Sequence, residues 1–282
     1  MSVRTYLSFV RFSHSVFALP FALTGAMLAA RHVPFEWTRL GWIVVAMVAA
    51  RSAAMAFNRL VDADYDAKNP RTSMREIPRG LIAPRSAAAF VVASSVVFVA
   101  AAAMLSWLCL ALAPVALCIV FWYSLAKRYT TYTQGFLGLA MAVAPVGGWL
   151  AAGGRGGPEP WLLGLGIGLW VGGFDVLYAC QDVEFDRAHG LNSIPVRFGV
   201  PGALLISRAM HVAAVGAMVA LGVVVSLGPI YLAGVALVAS LLVYEQSLVT
   251  SDDLSQVKRA FDLNGYVGLL YLLATAAAIY IR

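Results

Sequence analysis

Charge is scarce in this chain of 282 residues: Asp, Glu, Lys and Arg make up 12%, and 61% is hydrophobic. A water-soluble domain carries about 25% charged residues, so an ordinary cytosolic globule is excluded. Disorder is excluded too, since it requires low hydrophobicity and high charge. Cysteine is sparse. Cys109, Cys118 and Cys180 lie in apolar stretches without metal-ligand spacing, so no disulfide framework follows. Long hydrophilic blocks are also missing, and residues 1–282 therefore read as a single domain. What the chain has is long apolar runs and a mean hydropathy of +0.81. It is expected to be an all-α integral membrane protein.

A membrane-crossing helix needs about 20 mainly apolar residues. Stretches near 15–31, 38–60, 86–105, 107–125, 133–152, 161–180, 204–226, 228–246 and 264–281 qualify, which predicts nine spans. Ser106 and Trp107 mark the turn between the nearly fused third and fourth. The N-terminal MSVRTYLSFVRFSHSVFALPFALTG runs into the first span without an obvious small-residue cleavage site, so it is expected to be retained. The net charge of +6 does not point to nucleic acid, because the basic residues fall in the gaps between apolar stretches. The segment before the first span and the loops after the second, fourth, sixth and eighth hold fifteen Lys and Arg. The opposite side holds four: Arg31, Arg39, Arg155 and Arg282. That bias places the N-terminus and the large loops in the cytoplasm. The lack of a long Arg/Ser-rich presequence favours a prokaryotic plasma membrane.

Ionisable residues at the edge of a span are functional candidates by default. Two clusters qualify: NRLVDADYDAKNPRTSMREIPRG (58–80) and DVLYACQDVEFDRAHGLNSIPVRFG (175–199). In the first, Asn58, Asp62 and Asp66 recur every four residues and would share one face of a continuing helix, with Asp64 pointing away. In the second, Tyr178, Asp182 and Asp186 repeat that spacing, and Glu184 points away. Like charges at i, i+4 destabilise a bare helix, so two such pairs call for a cation. Oxygen-only ligands suit Mg²⁺, which keeps waters and commonly bridges carboxylates to phosphates. The plain alternative is a solvated acidic loop. Two such loops at equivalent helix ends argue against it.

Arg71, Arg75, Arg79, Lys127 and Arg128 surround the first cluster. Arg suits bidentate phosphate recognition and Lys acts as a point charge, although each also fits the positive-inside bias. The charges of four aspartates and a diphosphate ester nearly cancel those of two Mg²⁺ with Arg71, Arg75 and Lys127, as a membrane-edge site requires. Arg51 lies on the face of Met55, Asn58 and Asp62, about 10 Å deeper than Asn58. A buried Arg needs an anion: either Asp175 or Glu245, or a substrate carboxylate. Gly164, Gly168 and Gly172 share a face with Asp175 and Asp182, which predicts close helix packing, or room for a ligand beneath the Asp182 site.

The two clusters resemble those of the UbiA superfamily of intramembrane prenyltransferases. The family pattern is Asn-xxx-Asp-xxx-Asp with an Arg-Thr loop, then a second Asp-xxx-Asp four helices later. Here these are Asn58, Asp62, Asp66, Arg71-Thr72, Asp182 and Asp186. The likeness extends through RFSHSVFALPFALTGAMLA, YSLAKRYTTYTQGFLGLA and YEQSLVTSDDLSQVKRAF; Asp262 is a mild departure. MAFNRLVDADYDAKNPRT and APVGGWLA look most like the aromatic-acid polyprenyltransferases of ubiquinone and menaquinone biosynthesis. The resemblance implies nine helices round a central cavity open sideways to lipid, under a cap of cytoplasmic loops. It implies Mg²⁺ on Asp62, Asp66, Asp182 and Asp186 bridging a polyprenyl diphosphate. Arg75 and Lys127 match positions that hold diphosphate oxygens, Asn58 one at the metal and substrate site, and Arg51 one assigned to the aromatic hydroxy acid.

In such chemistry an allylic cation forms in a dry pocket and is attacked by an electron-rich phenol ring. Tyr123 or Tyr178 could steady that cation, or be an interfacial tyrosine. A cation-coupled transporter is the rival class, but its acids are expected near midplane beside broken helices. A CDP-alcohol phosphotransferase would need an Asp-Gly step that residues 58–66 lack.

Overall fold

The computed structural model describes residues 3–10, 12–34 and 36–281, and for residues 3, 4, 7 and 12–18 the backbone alone. Arg11 and Arg282, counted in the charge bias above, lie outside the described residues, as does the side chain of Arg4. The elements are α1 (Val3–Phe9), α2 (Phe12–Ala29), α3 (Trp37–Val61), α4 (Ala63–Lys68), α5 (Pro84–Leu105) and α6 (Trp107–Ala126). They continue with α7 (Thr133–Ala151), α8 (Glu159–Ala179), a single 3₁₀ turn (Cys180–Asp182), α9 (Val183–Ala188), α10 (Ile194–Val224), α11 (Gly228–Ser247) and α12 (Val257–Tyr280). There is no strand among the described residues. Helices satisfy their own backbone groups, which the bilayer core demands.

Eight of the nine expected spans are helices long and apolar enough to cross a membrane. The first expected span falls on α2, whose described apolar part, Leu19–Ala29, is shorter. Two helices overrun the sequence boundaries. α10 begins at Ile194 rather than near 204, capped by Ser193, whose hydroxyl accepts from the Val196 N–H. It kinks at Gly199 (φ 70°, ψ 169°), a conformation open to glycine. α12 starts at Val257, because Lys258, Arg259 and Asp262 lower the hydropathy without breaking the helix. Ser106 makes the tight turn foreseen between α5 and α6. It is extended (φ −167°, ψ 161°), and its hydroxyl caps α6 by accepting from the Cys109 N–H.

Each spanning helix packs on the next and α12 returns to α2, closing a ring, with α2 also crossing to α7. Small residues set the closest approaches. A Cβ on Gly148 would lie 2.1 Å from the Ala22 carbonyl oxygen, and one on Gly138 would lie 2.3 Å from that of Gly168. The stripe on α8 is therefore a packing surface, as expected, and Gly172 also abuts the Gln134 backbone. A buried apolar cluster joins α2, α7, α8, α10, α11 and α12 round Trp170, Tyr231 and Tyr271. The Trp170 indole N–H donates to Asn264 Oδ1 at 2.6 Å, and the Tyr231 and Tyr271 hydroxyls are 2.7 Å apart.

One end of the ring carries a cap, the loop 69–83. Ile77 and Ile82 are buried against Phe9, Val10, Ala87 and Phe90. Glu76 ties the cap down through an ion pair to the buried Arg59, and it accepts from the Ser8 hydroxyl at 2.7 Å.

Candidate active site

The antiparallel run of helices brings the C-terminal ends of α3, α6 and α8 to the capped end, together with the N-terminal ends of α7 and α10. A polar cavity of about 230 Å³ forms there, lined by both aspartate clusters and by Arg71, Arg75 and Lys127. The two motifs, more than a hundred residues apart in sequence, therefore face one another. The loop of the first also touches the second directly. Arg71 donates through Nε and Nη2 to Asp182, and Asn69 Nδ2 donates to Asp182 Oδ1 at 3.3 Å.

Neither motif sits on an uninterrupted helix. α3 gives way to α4 at Asp62 (φ −95°, ψ 3°), and the 3₁₀ turn gives way to α9 at Asp182 (φ −103°, ψ 4°). Both aspartates occupy the sparsely populated bridge region where active-site residues collect. Backbone bonds from Asp62 N to Asn58 O (3.0 Å) and from Asp66 N to Asp62 O (2.8 Å) preserve the four-residue staircase across the bend. Asn58 Nδ2 donates to Asp62 Oδ2 at 3.2 Å. Asp64 and Glu184 are exposed, on the outer side as expected.

Three of the aspartates are matched to cations. Asp62, buried, accepts from Lys127 Nζ at 2.8 Å and Arg128 Nη2 at 3.1 Å. Asp66, also buried, takes Arg75 Nη1 at 2.8 Å on both oxygens. Asp182 takes Arg71, whose Nη1 also donates to the Tyr178 hydroxyl at 2.7 Å. Burial raises the Asp62 carboxyl above the ordinary carboxylate range, against the pull of Lys127 and Arg128. Burial alone would lower Arg71, but Asp182 and Tyr178 outweigh it and raise its pKa.

Beneath this cavity lies an apolar one of about 740 Å³, walled by α2, α3, α5, α6, α7 and α8. Tyr123 and Leu137 line both cavities and mark their junction. Leu112, Val115, Leu139 and Leu165 line the apolar cavity and are exposed on the outer face, so its mouth opens sideways toward lipid. Arg51 projects into this apolar space. Its Nε is buried without a hydrogen-bond partner, and it forms no ion pair with Asp175 or Glu245 among the described residues. The purely structural role for Arg51 thus lacks its anion.

The arrangement unites Asn58, Asp62, Asp66, Arg71, Arg75, Lys127, Asp182 and Asp186 at the polar cavity, and Arg51 and Tyr123 below it. Tyr178 lines neither cavity. It packs on Phe261, with ring centroids 4.8 Å apart, and carries the Arg71 guanidinium 5.1 Å from its ring centroid. Its sequence spacing from Asp182 gave its helix face but not that engagement. Sequence reasoning missed Asn69, whose only signal was its place between Asp66 and the Arg-Thr step. It also gave Arg128 no specific role, although Arg128 reaches Asp62.

The sequence pattern of the UbiA prenyltransferase family matches residues 18–274. A 4-hydroxybenzoate octaprenyltransferase of Vibrio parahaemolyticus is 29% identical over 254 residues, 90% of this chain and 89% of that protein. The apo structure of a UbiA homolog from Aeropyrum pernix K1 superposes with a TM-score of 0.86 at 36% identity, covering 94% of this chain and 98% of that one. A UbiA homolog from Archaeoglobus fulgidus, solved with GPP and Mg²⁺, shares the fold at a TM-score of 0.73 and 19% identity, covering 98% of this chain and 100% of that one. Matched along nearly its whole length in sequence and in fold, this chain belongs to the UbiA prenyltransferase family.

Proposed function

We propose that the whole chain works as one domain that transfers a polyprenyl group from an allylic diphosphate to the ring of a hydroxy-aryl acid. The acceptor is 4-hydroxybenzoate or a hydroxynaphthoate, diphosphate is released, and the product serves ubiquinone or menaquinone biosynthesis. The observation that carries this reading is the stacking of the two cavities. A charged chamber fit for a diphosphate opens onto an apolar chamber fit for an isoprenoid, and the apolar chamber holds an arginine with no anion among the described residues.

The donor set fits Mg²⁺. Every candidate ligand is an oxygen: Asp62 and Asp66 from one side, Asp182 and Asp186 from the other. Among the described residues no three His, Cys, Asp or Glu converge on one metal position. Such a site supplies part of a coordination shell and leaves the rest to water and phosphate, which is how Mg²⁺ is usually held with phosphate substrates. Bound there, Mg²⁺ would supply Lewis-acid stabilisation of the departing diphosphate.

Arg71, Arg75 and Lys127 hold the diphosphate oxygens, and Tyr178 fixes the Arg71 guanidinium. Asn58 orients Asp62. The apolar walls exclude water from the allylic cation, and Tyr123 presents its ring at the junction where that cation forms. Arg51 receives the acceptor carboxylate, which sets the phenol ring below Tyr123. The charge bias of the loops supports a cytoplasmic cap and N-terminus in a bacterial inner membrane.

The test is direct. Purified protein with Mg²⁺, allylic diphosphates of graded length and a panel of hydroxy-aryl acids should yield ring-prenylated acid by mass spectrometry, and EDTA should abolish it. Substrate flux into proteoliposomes without any product would instead establish a transporter.

A further inference from the structure

The polar cavity holds a fifth carboxylate. Asp175 lies on α8 seven residues before Asp182, about 10 Å deeper along the helix. It lines the same cavity as the two motifs. Unlike Asp62, Asp66 and Asp182, it is held by no cation and no hydrogen bond among the described residues. A carboxylate with neither partner at a membrane-embedded position is costly to keep, and it retains all its lone pairs for a proton.

Its surroundings place it where such a proton arises. Tyr123, at the junction of the two cavities, lines the apolar one with Arg51 and the polar one with Asp175. Arg51 precedes Asp62 by eleven residues and Asp175 precedes Asp182 by seven, with Asp62 and Asp182 at the same chamber. Arg51 therefore lies about one helical turn, roughly 6 Å, deeper than Asp175. A hydroxy-aryl acid whose carboxylate sits on Arg51 spans that offset with its ring, which brings its hydroxyl end level with Asp175. The other aspartates of the cavity are already engaged: Asp62 by Lys127 and Arg128, Asp66 by Arg75, Asp182 by Arg71, and Asp186 by the Ser193 hydroxyl.

We propose that Asp175 is the catalytic base of the transfer, a role that rests on the acceptor reading above. The allylic C1–O bond breaks and its electron pair leaves with the diphosphate. A ring π pair forms the new carbon–carbon bond next to the hydroxyl. The proton on that ring carbon then passes to an Asp175 oxygen, and the C–H pair restores aromaticity. No oxidant or further reactant is needed.

Asp175→Asn keeps the size of the side chain and removes the base. Positional exchange of ¹⁸O within the allylic diphosphate reads ionisation separately from transfer. The expected result is exchange within threefold of wild type and an unchanged acceptor KM within threefold. The transfer kcat should fall at least tenfold, toward the 10²–10⁴ range of a lost general base. A smaller loss of transfer, or equal losses of exchange and transfer, overturns the proposal. If the Asn variant does not fold, Asp175→Glu decides with an acceptor deuterated at the reacting carbon. A primary isotope effect of about 2 or more supports the role, because a displaced base slows proton removal, and none overturns it. Wild-type protein that exchanges oxygen but prenylates no acid of the panel refutes the acceptor reading itself, and this role falls with it.

Discussion

Replacing Arg51 by Ala separates a binding residue from a structural one. Among the described residues Arg51 forms no ion pair, and its Nε has no hydrogen-bond partner. Removal therefore breaks no ion pair or hydrogen bond among the described residues, and thermal stability should hold or rise slightly. A hydrogen bond to a charged group contributes about 1.5–3 kcal/mol. At about 1.4 kcal/mol per tenfold, the acceptor KM should rise roughly 10- to 150-fold while the KM for the allylic diphosphate stays put. The assay is steady-state prenylation at saturating donor with graded acid, beside a melting curve for each variant. An acceptor that keeps the phenol but lacks the carboxyl group completes a double-mutant cycle. With it, wild type and Arg51→Ala should differ less than twofold. A KM within twofold of wild type for the acid, together with a lowered Tm, would refute the reasoning.

Asp62→Asn and Asp182→Asn should each abolish turnover and leave a monodisperse, helical protein by gel filtration and circular dichroism; near-normal activity in either would defeat the metal assignment. Gly148→Ala pushes a methyl to within 2.1 Å of the Ala22 carbonyl oxygen, so α2 and α7 must part, and overpacking should lower stability by about 1–3 kcal/mol in a thermal melt. Asn264→Leu leaves the buried Trp170 N–H without its acceptor; a loss of about 1–3 kcal/mol is expected, and an unchanged Tm would argue that the indole finds another partner.

Composition and hydropathy made the helices legible because the bilayer leaves so few alternatives for a long apolar run. Their ends were less so. Hydropathy marks where lipid is, whereas α10 and α12 continue past it on ordinary helical hydrogen bonds, with Lys258 and Arg259 inside the helix. The four-residue spacing of Asn58, Asp62 and Asp66 located the site. It could not show that the backbone bends at Asp62 and again at Asp182, since both bends keep the i, i+4 bonding that the spacing implies. Partner choice was the least legible. Lys127 and Arg75 were visible as cations near the first motif. That Arg71 crosses to the second motif, with Asn69 beside it and Tyr178 beneath, depends on how loop 69–83 is pinned by Glu76 and its two isoleucines. Arg51 was visible as an anomaly, and only the packed structure shows that neither Asp175 nor Glu245 neutralises it.

The sideways mouth at Leu112, Val115, Leu139 and Leu165 changes what concentration means for this enzyme. On the proposed function, a long-chain donor entering there would arrive by two-dimensional diffusion, so its effective dose would be its mole fraction among lipids rather than its molarity. Diluting the donor with inert phospholipid at constant bulk concentration should slow turnover, whereas diluting the whole suspension with buffer should not. The proposed water-borne acceptor should behave in the opposite way.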